Sequence, residues 1–359
     1  TLPPPPRIPG QAIFLVAAAA ALLLGAVATN YYAAHDLTLS HYDAKAHLVV
    51  ARRIFDSLTP GWRQIGAVWL PLPHVLNALP VQVDAWYRTG SSGVVISMLS
   101  FAAAAGSLAW LIASLTGSRA AAVAAVAAFI YQPDLLYLQA TPMTEPLLLG
   151  LTVSGIALLY HWTMSTLHRA PGTAQRAPGG ELSATGNRQP ATGHGTPGTG
   201  HRASDIGDSV GTTPSAWRPG LVLALACLTR YEAWPMTTAA GLVALLTLWR
   251  GGLGFWTACT AALRVGVWPL GALVLFLILS KATVGAWLVT GGFYEATNPA
   301  HGLPAQALVQ VGWGLGRVGG WPLAWAGAAG AAVVLLQGLV RKEYQARWFA
   351  LALAGCAAL

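Results

Sequence analysis

The chain has 359 residues, of which 55% are hydrophobic and only 9% charged, with 20 Lys and Arg against 12 Asp and Glu and a net charge of +8. A soluble domain carries about 25% charged residues, so composition excludes an ordinary water-soluble enzyme. Many of the basic residues fall in loops and segment ends, where the bilayer's orientation rule explains them, and this argues against nucleic acid as a partner; Lys45, Arg52, Arg53, Arg63 and Arg88, in the 31–91 stretch, oppose the rule and are expected to have another task.

Residues 1–10, "TLPPPPRIPG", predict a disordered, polyproline-like lead. The apolar run near 11–30 has one flanking Arg7 and no small-x-small cleavage site. It reads as a retained first transmembrane helix rather than a signal peptide. Further apolar spans are expected near 92–115, 120–138, 145–164, 219–229 continuing through 233–249, 255–280, 322–340 and 344–359. They match the length that crosses a hydrocarbon core about 30 Å thick. Residues 165–217 are rich in Gly, Thr, Ala, Pro and Ser and cannot bury a core, so a disordered cytoplasmic loop is predicted. Cys227, Cys259 and Cys356 sit in apolar segments without metal-ligand spacing and read as small buried hydrophobes.

The expected fold is therefore an all-α polytopic integral membrane protein. An N-terminal module (11–164) carries a long first outer loop (31–91). The 165–217 loop leads to a C-terminal module (218–359), whose last span has no polar exit and is expected to continue past Leu359. If the spans alternate, Arg7, Arg119, Arg250, Arg341 and Lys342 share one side, which should be cytoplasmic. Asp36, Asp43, Asp56, Asp84, Asp134, Glu145, Glu232 and Glu295 then fall on or near the opposite side. Carboxylates at a membrane edge are candidates for function.

Four stretches carry candidate chemistry. In "HYDAKAHLVVARRIFDSL", Ala46, Val49, Val50, Ile54 and Leu58 recur at helical spacing, predicting an amphipathic helix on the outer surface. Asp43 stands at its start, either as a helix cap or as a site residue. His47, four residues on, shares its face. Arg52 and Arg53 suit a phosphate, and equally suit lipid headgroups. In "GWRQIGAVWLPLPHVLN", Pro71 and Pro73 turn the chain into the next helix, Trp62 and Trp69 fit an interfacial belt, and His74 is either a packing or a substrate-positioning residue. In "QATPMTEPLLLGLT", Glu145 opens a span at the hydrocarbon edge, and function is preferred over a simple dipole effect. In "ACLTRYEAWPM", Arg230 and Glu232 interrupt an apolar stretch around Tyr231, as an ion pair or as a site lining. No nucleotide-binding glycine loop, HExxH or CxxC motif is present.

In that order, the acidic residue of "HYDAKAH", the proline-rich "WLPLPHVL", the Thr-acid "MTEPLLLG" and the mid-chain "TRYEAW" resemble the GT-C superfamily of membrane glycosyltransferases, in the branch of protein O-mannosyltransferases and the lipid A aminoarabinose transferase. The resemblance covers residues 11–250. It departs from the family where Ala44 follows Asp43 in place of a second acid, and where Trp69 and Leu70 replace the usual lysine.

The resemblance implies a GT-C-like bundle acting on a polyprenyl-phosphate-linked sugar at the extracytoplasmic face, with a lipid, glycan or protein acceptor. It implies Asp43 as general base with Glu145 in the catalytic set, and Arg52, Arg53 and Arg230 on the donor phosphate. His47, His74, Tyr231 and Glu232 would bind or orient substrate. A divalent cation, Mg or Mn, would use Asp43, Glu145 and His47. The alternatives are a transporter or flippase for a lipid-linked or small solute, and a catalytically degenerate assembly subunit.

Overall fold

A computed structural model describes residues 10–169, 215–289, 298–318 and 320–340. The lead at 1–9, residues 170–214 of the predicted loop, Glu295, Cys356 and the 344–359 span lie outside the described residues.

Among the described residues all regular structure is helical. The N-terminal half contains α1 (Gly10–Ala34), α2 (Tyr42–Arg53), α3 (Leu72–Asn77), α4 (Asp84–Thr89), α5 (Ser91–Thr116), α6 (Arg119–Ile130), α7 (Pro133–Gln139) and α8 (Glu145–His168). The C-terminal half contains α9 (Trp217–Cys227), α10 (Ala233–Arg250), α11 (Phe255–Val284), α12 (Pro304–Val318) and α13 (Trp321–Val340). Helices α1, α5, α8 and α11 are each long and apolar enough to cross a membrane. The pair α6 and α7 makes a fifth if counted as one span.

Helix α5 is the centre of the N-terminal half, packed between α1 and α8. Small residues make this close approach possible. Ala102, Ala104, Ala105, Gly106 and Ala109 are buried along α5. Gly150 of α8 lies so near Ser100 that a Cβ there would sit 2.7 Å from the Ser100 carbonyl oxygen. Beyond α8 follow α9 and then α11, with α10 against both α8 and α11.

Two expected spans take a different form. Residues 120–138 are not one straight helix, because α6 and α7 meet at 66° around Tyr131 and Gln132. Pro133 begins α7, and a proline biases the residue before it away from helix. Residues 219–249 are not one span either. Arg230 reaches Thr144 and Glu145 at the start of α8, whereas Gly251, just past α10, lies against Leu167 near the end of α8. Leu223 of α9 lies against Gly155 between these levels. So α9 runs antiparallel to α8 and α10 runs parallel to it, making a helical hairpin whose turn is Leu228–Glu232. Eleven residues of α9 span only about 16 Å. Arg230 and Glu232 thus stand at the tip of a hairpin, not inside a span.

The bundle has two chemically distinct ends. Arg119, Arg169, Arg218 and Arg250 lie at helix ends on one side. Asp36, Asp43, Asp84, Asp134, Glu145 and Glu232 lie at the other, with the whole 35–90 segment. Gly90 joins that segment to α5 at φ 78. An added Cβ would meet Leu39 at 2.8 Å, so both conformation and space require glycine there.

The Gly150 contact yields a direct test. Gly150→Leu should push α8 off α5 and cost about 1–3 kcal/mol, read as a drop of several degrees in the thermal midpoint of the detergent-solubilised protein. An unchanged midpoint contradicts the close approach.

Candidate functional site

The site is built at the acidic end from three separate stretches. The first is α2. The polypeptide enters it at His41, whose Nδ1 accepts the backbone N–H of Asp43 at 3.2 Å. The cap is therefore His41, not Asp43, and the Asp43 carboxylate is left for other work in the first helical turn. The buried stripe of α2 is Ala44, His47, Leu48 and Ala51. Its Leu48 and Ala51 rest on Val81, Leu39 and Tyr87, and Ile54 beyond the helix end packs with Ile65 and Ala78. Of the residues expected to form the buried face, only Ile54 is buried, whereas Val49 is exposed and Leu58 fully so. Small alanines, not the β-branched residues, mark the packed side, because they allow α2 to approach the loop beneath it.

The second stretch is the turn before α8. The Ser97 hydroxyl of α5 donates to the Thr141 carbonyl at 2.8 Å and to the Met143 carbonyl at 3.1 Å. This pins the turn that presents Thr144 and Glu145. Pro146 in the first turn of α8 needs no N–H partner there. The third stretch is the α9–α10 hairpin tip. Two hydrogen bonds strap it to the first loop. Leu72 N–H donates to the Leu228 carbonyl at 2.9 Å, and the Tyr231 hydroxyl donates to the Ala67 carbonyl at 3.1 Å.

Arg230 joins the three. Its Nη1 donates to Glu145 Oε1 at 2.8 Å and to Thr144 Oγ1 at 3.0 Å. Its Nη2 donates to Glu232 Oε1 at 2.9 Å, and Nε lies 3.2 Å from the same oxygen. Asp43 contributes a further favourable electrostatic interaction with Arg230, and His47 feels the Arg230 charge. One guanidinium therefore faces carboxylates from α2, α8 and the hairpin tip. The ion pair expected for Arg230 and Glu232 is present. Among the described residues, Glu145 Oε2 is buried without a hydrogen-bond partner.

His47 and His74 lie beside this cluster. Their rings meet through Nδ1 of His47 and Nε2 of His74 at 3.0 Å, and His74 Nδ1 lies 3.2 Å from the Leu70 carbonyl oxygen. Trp69 packs its ring 4.4 Å from that of His47 and 5.9 Å from that of His74. Burial, helped by the Arg230 and His41 charges, pushes His47 down to about 4. Burial and the neighbouring His47 push His74 down to about 3.

Two expected donor ligands are not brought together here. Arg52 is taken by Asp56 at 2.8 Å and Asp84 at 2.7 Å, and lies over the Tyr87 ring at 4.6 Å. It braces the end of α2 against α4 through Nε and Nη2, while its Nη1 is buried without a hydrogen-bond partner. Arg53, its neighbour, is exposed. The expected divalent cation also meets a different arrangement. Among the described residues, no three His, Cys, Asp or Glu side chains gather closely enough to hold a metal ion. The cation among the carboxylates is Arg230, which engages Glu145 Oε1 and leaves Oε2 without a hydrogen-bond partner. Among the described residues, Asp43, Glu145 and His47 are not gathered into such a group.

Sequence reasoning missed the roles of His41, Thr144, Ala67 and Leu228. Thr144 was legible in its "TEP" setting, but a backbone carbonyl leaves no mark in sequence. Against known protein families, curated proteins and solved structures, the chain has no match.

The two histidines set a pH dependence. An unfolded chain takes up protons at both near their ordinary value of 6.5, while the folded chain refuses them until about 4 at His47 and about 3 at His74. The unfolded state then binds more protons, so stability is complete above about 6.5 and falls as pH drops toward 4. The thermal midpoint should fall between pH 7 and pH 5, with a shallower slope in His74→Phe. The same slope in wild type and variant would contradict neutral buried histidines.

Proposed function

We propose that the protein is an integral membrane glycosyltransferase of GT-C type. It transfers a sugar from a polyprenyl-phosphate donor to an acceptor hydroxyl at the extracytoplasmic face. The observation that carries this reading is the Arg230 cluster. It draws Asp43 of the first loop, Glu145 at the head of a membrane-length helix, and Glu232 into one group at the acidic end of the bundle. We take that end as the outer one because Arg119, Arg169, Arg218 and Arg250 gather at the other, and we give Lys45, Arg52, Arg53, Arg63 and Arg88 of the first loop, which oppose the rule, a task other than setting topology. A donor held in the bilayer by its lipid presents its sugar at this depth.

In the proposed reaction the acceptor oxygen attacks the anomeric carbon as the bond to the phosphate oxygen breaks. Asp43 takes the hydroxyl proton, and polyprenyl phosphate leaves with the electron pair. Asp43 suits the role because His41 relieves it of capping and it stays partly exposed. Arg230 offers the second N–H of Nη2, beside the one given to Glu232, to the departing phosphate, a charge-assisted contact that strengthens as charge develops. Glu145 and Glu232 hold the guanidinium in place, and the unpartnered Glu145 Oε2 accepts a hydrogen bond from the acceptor. Arg53, exposed at the end of α2, faces the headgroup region. Membrane lipids, the lipid-linked donor and a lipid, glycan or protein acceptor are the partners this reading requires.

The test uses the protein in proteoliposomes with a radiolabelled polyprenyl-phosphate sugar. Asp43→Asn should lose transfer by about 10²-fold or more while keeping the wild-type thermal midpoint. Near wild-type turnover of the variant would remove Asp43 as base. Uptake of free labelled solute without transfer would replace the enzyme with a transporter.

A further inference from the structure

The histidine pair contains more information than its burial. Consider which atoms carry hydrogen. His74 Nδ1 lies 3.2 Å from the Leu70 carbonyl oxygen, which only accepts. His74 Nδ1 must therefore be the protonated nitrogen. His74 is 1% exposed, and no carboxylate contributes to its electrostatics, which come from His47 and the Leu70 carbonyl. A charged ring there would be an uncompensated buried ion, so the ring is neutral and its Nε2 is bare. A bare Nε2 only accepts. The 3.0 Å contact then requires His47 Nδ1 to be the donor. His47, also buried and facing the charges of Arg230 and His41, is neutral in turn. Its own Nε2 is left without a hydrogen. The chain of donation runs from His47 to His74 to Leu70, and its open end is a lone pair.

Asp43 and His47 are four residues apart on α2 and so lie on one face, and both interact with Arg230. We infer that His47 presents a bare Nε2 as a hydrogen-bond acceptor for a substrate hydroxyl beside Asp43, and that His74 is the positioning residue that fixes this tautomer. Trp69, packed on both rings, holds the planes in register. The role for a hydroxyl rests on the transferase reading. The tautomer does not.

The experiment therefore reads the tautomer first. Protein labelled with 15N in its histidine rings is placed in nanodiscs near pH 7, and His47→Gln and His74→Gln assign the two sets of resonances. Both rings should be neutral, with protonated Nδ1 and bare Nε2. In His74→Leu the fixed form of His47 should give way to a mixture of tautomers. His74→Gln, whose side-chain oxygen can accept from His47, should retain it. An Nε2-protonated or charged His47 in the wild-type protein overturns the inference, and that measurement does not depend on any variant folding. With labelled polyprenyl donor, transfer should fall about 10-fold or more in His47→Ala and recover further in His74→Gln than in His74→Leu. No transfer by wild-type protein would overturn the transferase reading while leaving the relay intact. Full transfer by His74→Leu, with His47 in mixed tautomers, would overturn the role given to the relay.

Discussion

Everything at the acidic end of this protein depends on where one guanidinium can go. Arg230 is charged at any accessible pH and sits at a hairpin tip between apolar helices, so it needs anionic partners. Glu232 comes from its own turn. Glu145 comes from the head of α8, 85 positions earlier in the chain. Asp43 comes from a loop helix earlier still. Satisfying Arg230 therefore requires the first loop, the α8 turn and the hairpin to meet. The local devices serve that meeting: Ser97 fixes the turn that carries Glu145, and the Leu72 and Tyr231 hydrogen bonds tie loop to hairpin.

This constraint also gives the carboxylates distinct roles. Glu145 and Glu232 spend an oxygen on Arg230 and become part of a rigid frame. Asp43 interacts at longer range and keeps a partly exposed carboxylate. His47, on the same helical face, is buried and neutral. A single short helix thus brings one charged and one uncharged acceptor to one place, with opposite environments for each. Arg52, which has the same chemistry as Arg230, has a different fate because Asp56 is one turn away and Asp84 opens the next helix but one.

Much of this was legible in the sequence, for identifiable reasons. The apolar runs of α1, α5, α8 and α11 are long and almost uncharged, so their length alone announced them. The concentration of Asp43, Glu145, Arg230 and Glu232 at one end followed from alternation of the spans and the scarcity of charge. The hairpin did not, because "CLTRYE" breaks an apolar run without a glycine or proline at its centre, and a break alone does not tell a kink from a reversal. The buried face of α2 was misassigned because hydrophobicity points to Val49 and Val50, whereas close packing selects Ala44 and Ala51. The His47–His74 contact bridges 27 residues and depends on the angle between two short helices, which no periodicity encodes.

The most direct test of the account is a double-mutant cycle on Arg230 and Glu145, using reversible unfolding of the membrane-solubilised protein. Arg230→Gln alone should cost about 1–3 kcal/mol, between the limits for exposed and buried pairs. Combining it with Glu145→Gln should cost less than the sum of the single changes, with a coupling of about 1 kcal/mol. Strict additivity would mean that the two side chains do not meet, and the site as assembled here would not exist.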